Sequence, residues 1–508
     1  MLFRSDVAKL AANITTAGKS FKYTDANTLA IDQVAQAGSS AVVLGVPSGT
    51  AATQALMNGI TTLGGSGGSV VVNTLSTGTL DVNQAISTVP TGTGTTVGGS
   101  VVLESNGAIT TAAAGTITTT GQASAAGLGG VGGEVFIHHT NLTTTAGDIT
   151  LGADITATGG ATGNGGAVSV LNDSGKVLVQ AKVDVSGAGG TDGSIRLKAS
   201  GDITDNTSGS LVGDTNGVLS AYSTGGKITL TQGATVAGTG AGQLGNASVG
   251  HQMATVAFKT DTAAGTDGSV SYLDRTVLTV GSVAAGAATP VAPSNTNPSS
   301  LGAVTGITTV AGTTNGAVTL RAGVAGTNNT LTVSEAINTS AGTAATAGGA
   351  VVLEAGGAID LSSNGTITTT GNTSGAGGAV FIHHTNAAAG DITLGKDITA
   401  TGGNGGDGGA VSVLNDSGKV LVQATIDVSK AGAGTNDGSI RLKASGDIAD
   451  NTSGSLVGDT NGSLSAYSTG GKITLTQGAT VSGTGAGQLG NADRKSTRLN
   501  SSHGYISY

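Results

Sequence analysis

The sequence contains no cysteine and no tryptophan, and only 2% of its residues are aromatic. Without cysteine there can be no disulfide bonds, thiolate metal sites or thiol catalysis. The formal net charge of −9 argues against nucleic-acid binding, which requires a basic surface. There is no apolar run of about 18 residues, the length needed for a membrane-spanning helix. These absences remove several enzyme and transporter classes at once.

Glycine is abundant, with 90 of the 508 residues, whereas proline contributes only five. Collagen is excluded, because glycine does not recur at every third position. Wholesale disorder is disfavoured by a mean hydropathy of +0.17 and by the frequent valine, isoleucine and threonine. So few aromatic residues cannot fill several conventional cores. The composition therefore predicts a folded chain with a thin, repetitive core.

The two ends resemble translated sequencing adapter. Residues 493–508 (DRKSTRLNSSHGYISY) interrupt a Gly/Thr/Ala-rich chain with basic residues and can be encoded by a common adapter. Residues 1–5 can be encoded by the reverse complement of the start of that adapter. The alternative is a natural basic tail. We expect residues 6–492 to be an internal fragment of a longer protein.

The fragment contains a long internal duplication. Gly193–Ala247 matches Gly438–Ala492 over 55 residues with three differences, and the 17-residue segment Gly165–Ala181 recurs identically as Gly408–Ala424. Weaker matches, such as Tyr23-Thr24-Asp25 with Tyr272-Leu273-Asp274, continue upstream. We predict two repeat units, residues 6–247 and 248–492. Residues 285–300 hold three of the five prolines and predict a loop or junction.

A shorter period of about 30 residues lies within each unit. Small turn residues precede alternating apolar positions, whose first members are separated by 34, 33, 27 and 33 residues; they are Val101, Val135, Val168, Ile195 and Ile228. Strict alternation bounded by turn residues predicts strands, and strands this short must stack coil upon coil. The fold class predicted is an all-β parallel β-helix, or β-solenoid, with Gly and Asn providing left-handed backbone angles at its corners.

Repeated phrases such as Gly147-Asp148-Ile149-Thr150-Leu151 and Gly193-Ser194-Ile195-Arg196-Leu197 resemble those of filamentous-haemagglutinin-like bacterial exoproteins. The resemblance covers nearly all of residues 6–492. It implies a right-handed β-helix at the bacterial cell surface, exported by two-partner secretion or as an autotransporter passenger, with roles in adhesion, aggregation and biofilm formation. The implied partners are an outer-membrane secretion transporter and surface glycans or proteins of host or neighbouring cells.

Candidate chemical sites are few. The pairs His138-His139 and His383-His384 have no third ligand at a fixed spacing, which favours structural histidines over a metal site. Glu104, Glu134 and Glu354 are predicted to be isolated, and Asp148, Asp154 and Asp202 to be solvated turn residues. The run Gly402–Ala410 only partly matches a calcium-binding nonapeptide. We expect no catalytic residue, no cofactor and no metal ligand.

Outward apolar positions form one candidate contact strip, made of Val102, Phe136, Val352 and Phe381. Such a strip is either a contact site or covered by a loop. Taken together, the sequence predicts a non-enzymatic stalk segment of a large secreted or surface-exposed adhesin. The alternative is a carbohydrate-active or ice-binding β-solenoid, the latter suggested by alternating threonines at Thr116–Thr120 and Thr366–Thr370.

Overall fold

A computed structural model describes most of the chain between residues 6 and 477. The described residues are 6–35, 56–63, 68–75, 77–91, 95–123, 129–140, 147–233, 250–261, 267–286, 301–310, 316–323, 327–342, 347–385 and 388–477. Within these ranges the regular structure is β-strand, and no helix is present. The predicted terminal segments 1–5 and 493–508 and the repeat boundary at 247 and 248 lie outside the described residues, so those predictions stay untested.

Each coil consists of one long strand followed by two short ones. In one coil these are Val101–Ser105, Ile109–Thr111 and Ile117–Thr118. The next coil pairs with it in parallel register, with Val135 opposite Val101 and Ile155 opposite Ile117. Turn residues bound the strands, and the apolar residues alternate within them. The architecture is therefore a parallel β-solenoid, and the predicted fold class is confirmed.

The chain forms two compact units. The first comprises Met1–Lys198, Ser208–Gly217 and Gly286–Leu301. Its long strands are Phe21–Asp25, Val70–Thr74, Val101–Ser105, Val135–His139, Ala167–Asn172 and Ser194–Ala199, the last of which ends one residue beyond the unit. Its second strands are Lys9–Leu10, Leu29–Ile31, Leu80–Val82, Ile109–Thr111, Ile149–Leu151 and Val177–Val179. Its third strands are Ala12–Ile14, Ile60–Thr62, Ile86–Ser87, Ile117–Thr118, Ile155–Thr156, Lys182–Asp184 and Ser210–Val212. Gln33–Val34 and Met57–Asn58 add an antiparallel pair.

The second unit comprises Ala199–Thr207, Val218–Ala285 and Gly302–Tyr508. One sheet contains Ile203–Asp205, Ile228–Leu230, Val270–Asp274, Val318–Ala322, Val351–Ala355, Val380–His384, Ala410–Asn415, Ser439–Ala444 and Ser463–Ser468. A second row contains Leu278–Val280, Leu331–Val333, Ile359–Leu361, Ile392–Leu394, Val420–Val422, Ile448–Asp450 and Ile473–Thr474. A third contains Ile307–Val310, Ile337–Asn338, Ile367–Thr368, Ile398–Thr399, Thr425–Asp427 and Ser455–Val457. Val218–Ser223 pairs with Thr255–Asp261, and Ser282–Val283 pairs antiparallel with Val304–Thr305.

The long strand moves to a neighbouring sheet where the second copy of the repeat begins. The short strand Ile228–Leu230 pairs with the long strand Val270–Asp274. The intervening strand Thr255–Asp261 makes this possible, because it pairs forward with two strands, Leu278–Val280 and Ile307–Val310. From Val270–Asp274 onward, the long strands therefore lie in the sheet that contains short strands in the preceding coils.

Inward aliphatic side chains form the core. Val168, Ile195 and Ile228 are fully buried, as the predicted solenoid requires. The prediction for Ile228 is nevertheless wrong in one respect. Ile228 pairs with Ile203, which belongs to a short strand, and so it does not extend the series of first residues of long strands. A Gly-Gly pair before alternating residues therefore does not by itself identify a long strand.

Stacked glycines explain the Gly-Gly pairs better than corner angles do. A Cβ built on Gly133 would overlap the carbonyl oxygen of Gly99, and neither residue has a positive φ. The buried hydroxyl of Thr119 donates a hydrogen bond to the carbonyl oxygen of Gly133 at 2.8 Å, which holds this glycine in place from the core side. Among the described residues no asparagine has a positive φ, so the corner role predicted for asparagine is wrong. Glycine is therefore required at these positions mainly because successive coils approach each other closely.

Candidate functional site

The candidate contact strip is covered in the first copy. Val102 and Phe136 are opposite each other on neighbouring long strands. Both are buried, and they cluster with Val71, Leu171 and Leu301. Leu301 lies at the end of the proline-containing segment, where its carbonyl accepts a hydrogen bond from Gly286 N at 2.9 Å. Val102 and Phe136 are therefore packed in an apolar cluster with Leu301, whereas residues 287–300, most of the predicted loop or junction, lie outside the described residues.

The strip is more open in the second copy. Val352 and Phe381 also lie opposite each other, but their side chains are only half-buried. Their neighbours along the row are Thr319 and Ser412, which are polar and half-buried. The same pair of residues thus has a different environment in each copy.

A buried row of ionisable side chains lies beside the strip in the first copy. Glu104 and His138 are opposite each other on neighbouring coils, with His138 Nδ1 3.6 Å from Glu104 Oε1. The other ring nitrogen, Nε2, is 2.9 Å from Asp173 Oδ2. His138 is 2% exposed and Glu104 is 5% exposed. The prediction that Glu104 is isolated is therefore wrong.

The second copy repeats this row and adds a cation. His383 Nδ1 is 3.6 Å from Glu354 Oε1, and His383 Nε2 is 3.1 Å from Asp416 Oδ2. Arg321, which lies on the preceding coil, forms a buried ion pair with Glu354. Glu354 is therefore also buried and paired, contrary to the prediction. Aligning the motif GGSVVLES with GGEVFIHH would have placed Glu104 opposite His138, and this signal was present in the sequence.

The burial and charges of these rows shift several pKa values. Burial acts to lower the pKa of His138, but the carboxylates of Asp173 and Glu104 outweigh it and the pKa is raised. His383 behaves likewise, with Glu354 and Asp416 raising its pKa against the effect of burial. For Glu354, burial acts to raise the pKa, but His383 and Arg321 together lower it. The neighbouring carboxylates thus favour the charged form of both histidines.

The second histidine of each pair is in a different environment. Burial lowers the pKa of both His139 and His384. His384 Nδ1 is 3.0 Å from Asn415 Oδ1, and His139 Nδ1 is 3.3 Å from Ser174 Oγ. Their Nε2 atoms have no hydrogen-bond partner among the described residues. Adjacent histidines therefore favour opposite protonation states, and the expected structural role fits their burial.

Turn aspartates connect one coil to the next. Asp148 Oδ1 accepts a hydrogen bond from Lys176 N at 2.9 Å, and Asp154 Oδ1 accepts one from Lys182 N at 3.0 Å. Asp202 accepts from Lys227 N in the same way at 3.1 Å. Because these carboxylates bind main-chain groups, they are structural staples and not merely solvated turn residues.

Asp407, in the partial calcium motif, also connects one coil to the next. Asp407 Oδ1 accepts hydrogen bonds from the main-chain nitrogens of Thr435 and Asn436, at 2.8 and 2.9 Å. The hydrogen bonds from Asn436 and Thr435 lower the pKa of Asp407. Within the described ranges, no group of three or more histidine and carboxylate residues is arranged to hold a metal ion.

The outward threonines do not form a continuous array. Thr118 and Thr156 are opposite each other, but Ser87 precedes them and Asp184 follows them along the row. An ice-binding surface would need threonine in each successive coil. The described part of the chain also contains no helix long and apolar enough to cross a lipid bilayer.

The chain was compared with models of known protein families, with curated proteins and with solved structures. None of the three comparisons found a match. Functional assignment therefore rests on the fold, the buried rows and the turn aspartates.

Proposed function

We propose that this chain is a non-enzymatic stalk segment of a large secreted or surface-exposed bacterial adhesin, whose task is to hold a recognition element away from the cell. One observation carries the proposal: ionisable side chains that could do chemistry are instead used to join successive coils. Glu104, His138 and Asp173 come from three consecutive coils. The resemblance to filamentous-haemagglutinin-like exoproteins supports the same role.

Stacked coils are suited to this task for a physical reason. Each coil contacts only its neighbours, so length is added by repetition without a new core. The main-chain ladders, the aspartate staples and the glycine rows all act between neighbouring coils. Secretion through an outer-membrane transporter would supply the chain to the surface, where adhesion, aggregation or biofilm formation would follow from the element at its tip.

The proposal can be tested by surface display. The full chain would be placed between a bacterial outer-membrane anchor and a nanobody, and adhesion would be measured to surfaces with and without the antigen. We expect adhesion to require the nanobody and its antigen, with display of the chain alone giving background adhesion to immobilised glycans and host cells. Strong adhesion by the chain alone would contradict a spacer role.

A second measurement separates the alternative functions. The purified chain would be assayed for sugar release from a panel of polysaccharides and for thermal hysteresis in ice. A stalk gives neither signal, and under force it should unravel in steps of about 100 Å, the contour length of a 30-residue coil. Sugar release would favour a carbohydrate-active solenoid, and thermal hysteresis an ice-binding one.

A further inference from the structure

One turn has the same five residues, Gly-Asp-Thr-Asn-Gly, in both copies, at 213–217 and at 458–462. In both turns the asparagine is exposed to solvent. Each turn leads into a six-residue strand, Val218–Ser223 or Ser463–Ser468. Because the turn sequences are identical, a difference in the chemistry of Asn216 and Asn461 must come from the structure around them.

The backbone of the two turns differs. In the first copy Asp214 has a φ of 34°, in the left-handed region, and Gly217 N donates a hydrogen bond to Gly213 O at 2.7 Å. In the second copy no residue of the turn has a positive φ, and Gly462 N has no hydrogen-bond acceptor among the described residues. Gly217 is buried, whereas Gly462 is half-buried. Since the bond in the first copy joins two residues of the same turn, the difference is local to the turn.

The asparagine side chains are also held differently. Asn216 Oδ1 accepts a hydrogen bond from Asp192 N at 2.6 Å. Asn461 instead donates from Nδ2 to Thr435 O, at the longer distance of 3.2 Å. Each side chain thus makes one hydrogen bond, and the N–H of Gly217 adds a second restraint that the turn of Asn461 lacks.

Other Asn-Gly pairs resemble the first copy in this respect. Six of the described pairs have a glycine N–H that donates a hydrogen bond. The acceptors are Asp32 O for Gly59, Ser105 Oγ for Gly107, Thr191 O for Gly165, Gly213 O for Gly217, Ser362 O for Gly365 and Ala431 O for Gly405. Asn461-Gly462 is the exception among the described pairs.

We propose that Asn461 is a site of spontaneous deamidation, a covalent modification from which Asn216 is protected. The main-chain nitrogen of Gly462 attacks Cγ of Asn461, so that an N–C bond forms and the bond from Cγ to Nδ2 breaks. Ammonia leaves with the proton that the attacking nitrogen loses. Water then opens the cyclic imide at either carbonyl, which gives aspartate or isoaspartate.

The structure favours this reaction at Asn461 for two physical reasons. Glycine has no side chain to hinder the approach of its nitrogen, and its backbone angles are permissive. The N–H of Gly462 is ready to react, whereas the N–H of Gly217 must first leave its acceptor. A hydrogen bond that has to be broken before the attack raises the barrier.

Deamidation would weaken a contact between coils. Asp437 is 8% exposed, and its Oδ2 already accepts hydrogen bonds from the main-chain nitrogens of Thr460 and Asn461. A new carboxylate at position 461 would repel the Asp437 carboxylate. Isoaspartate would in addition lengthen the main chain by one methylene group. The modified turn should therefore be held less firmly to the preceding coil.

The test is peptide mapping by mass spectrometry of the full chain, incubated for increasing times in neutral buffer. Trypsin releases residues 199–227 and 444–472, which differ at only two positions and so form a matched pair. Fragment spectra locate the conversion of amide to acid. In the folded chain we expect Asn461 to deamidate about fivefold faster than Asn216, the rate ratio that corresponds to one additional hydrogen bond of about 1 kcal/mol. In the urea-unfolded chain the two rates should be equal.

Three results would overturn the proposal. They are equal rates in the folded chain, a faster reaction at Asn216, and a rate difference that persists in urea, since the last would come from Val218 and Ser463 and not from the fold.

The variant Asn461→Gln tests the structural consequence, because glutamine forms the corresponding larger ring slowly. After incubation, Ser463–Ser468 should lose hydrogen-exchange protection in the unaltered chain and keep it in this variant. Equal loss in both chains would contradict the expected weakening of the contact with Asp437.

Discussion

The two copies of the repeat bury the same Glu-His-Asp row but balance its charge differently. Position for position, Asn73 in the first copy corresponds to Arg321 in the second, since each lies opposite the buried glutamate on the preceding coil. Glu354 therefore has a permanent cation beside it, whereas Glu104 has the titratable His138. Buried carboxylates are costly unless paired, so one substitution changes how each copy depends on pH and on its neighbours.

The copies differ a second time at the apolar strip beside this row. Val102 and Phe136 are covered in the cluster that contains Leu301, while Val352 and Phe381 are half-exposed. Near-identical sequences can thus supply a core position in one copy and a surface position in the other. Substituting equivalent residues in the two copies therefore separates the stability contributed by the repeated motif from the stability contributed by its surroundings.

The largest effect is expected from Arg321→Met. This change leaves the Glu354 carboxylate buried with only His383 as a cationic partner, and breaking a buried pair costs about 3–5 kcal/mol. Amide hydrogen exchange over Val318–Ala322 and Val351–Ala355 would measure the loss. The matched control is Lys443→Met, an exposed cation in the same row, which should change stability by less than about 0.5 kcal/mol. Recovery in the double variant Arg321→Met/Glu354→Gln would confirm that charge is the cause.

The next largest difference is expected between Phe136→Ala and Phe381→Ala. Removing the buried ring of Phe136 should cost about 3–5 kcal/mol, because it leaves a cavity among Val71, Val102 and Leu301. Removing the half-buried ring of Phe381 should cost about 1 kcal/mol, since less apolar surface leaves the interior. Hydrogen exchange of the two long strands compares them within one molecule. Equal losses of stability in the two variants would show that packing of Leu301 against Phe136 contributes little to stability.

Glycine-to-alanine changes should affect both copies equally. A Cβ on Gly133 would overlap Gly99 O, and one on Gly378 would overlap Gly349 O. Forcing the coils apart should cost about 1–3 kcal/mol at either site, as in other overpacked interiors. Gly302→Ala is the control, because no atom lies within 4 Å of a Cβ built there. A marked difference between Gly133 and Gly378 would mean that the coils of one copy yield more easily.

The sequence predicts the fold well because the fold depends on a local pattern. Gly-Gly followed by alternating aliphatics is readable within one coil, and the period of about 30 residues places Val101, Val135 and Val168 in register. The face shift at the second copy is not predictable in this way. It depends on Thr255–Asp261 pairing with two strands at once, which no local pattern reveals.

The candidate site was less accessible to sequence reasoning. Within its own coil Glu104 is a single carboxylate at a strand end, and only the neighbouring coil supplies His138. The cover over Phe136 comes from Leu301, far along the chain and outside the repeated motif. Contacts between coils can be inferred once the register is known, but contacts made by a non-repeating segment cannot.

The smallest expected effect is a difference in pH dependence between the copies. The pKa values of His138 and His383 are raised, so their stabilising charge is complete below the unfolded value of 6.5 and is lost as pH rises through the folded value. His139 and His384 have lowered pKa values, so their contribution is lost in the opposite direction, as pH falls below 6.5. Above pH 6.5, therefore, the pH dependence of stability reports on His138 and His383 and not on His139 and His384.

Above that pH the first copy should lose more protection than the second. Deprotonated His138 leaves Glu104 without its cation, whereas Glu354 keeps Arg321 when His383 loses its proton. Hydrogen exchange of Val135–His139 and Val380–His384 between about pH 6 and 9, corrected for intrinsic exchange, compares the two directly. The His138→Gln variant should flatten the profile of the first copy alone. Equal loss in both copies would show that Arg321 does not compensate for the neutral histidine, and that the two rows are electrostatically alike despite the added cation.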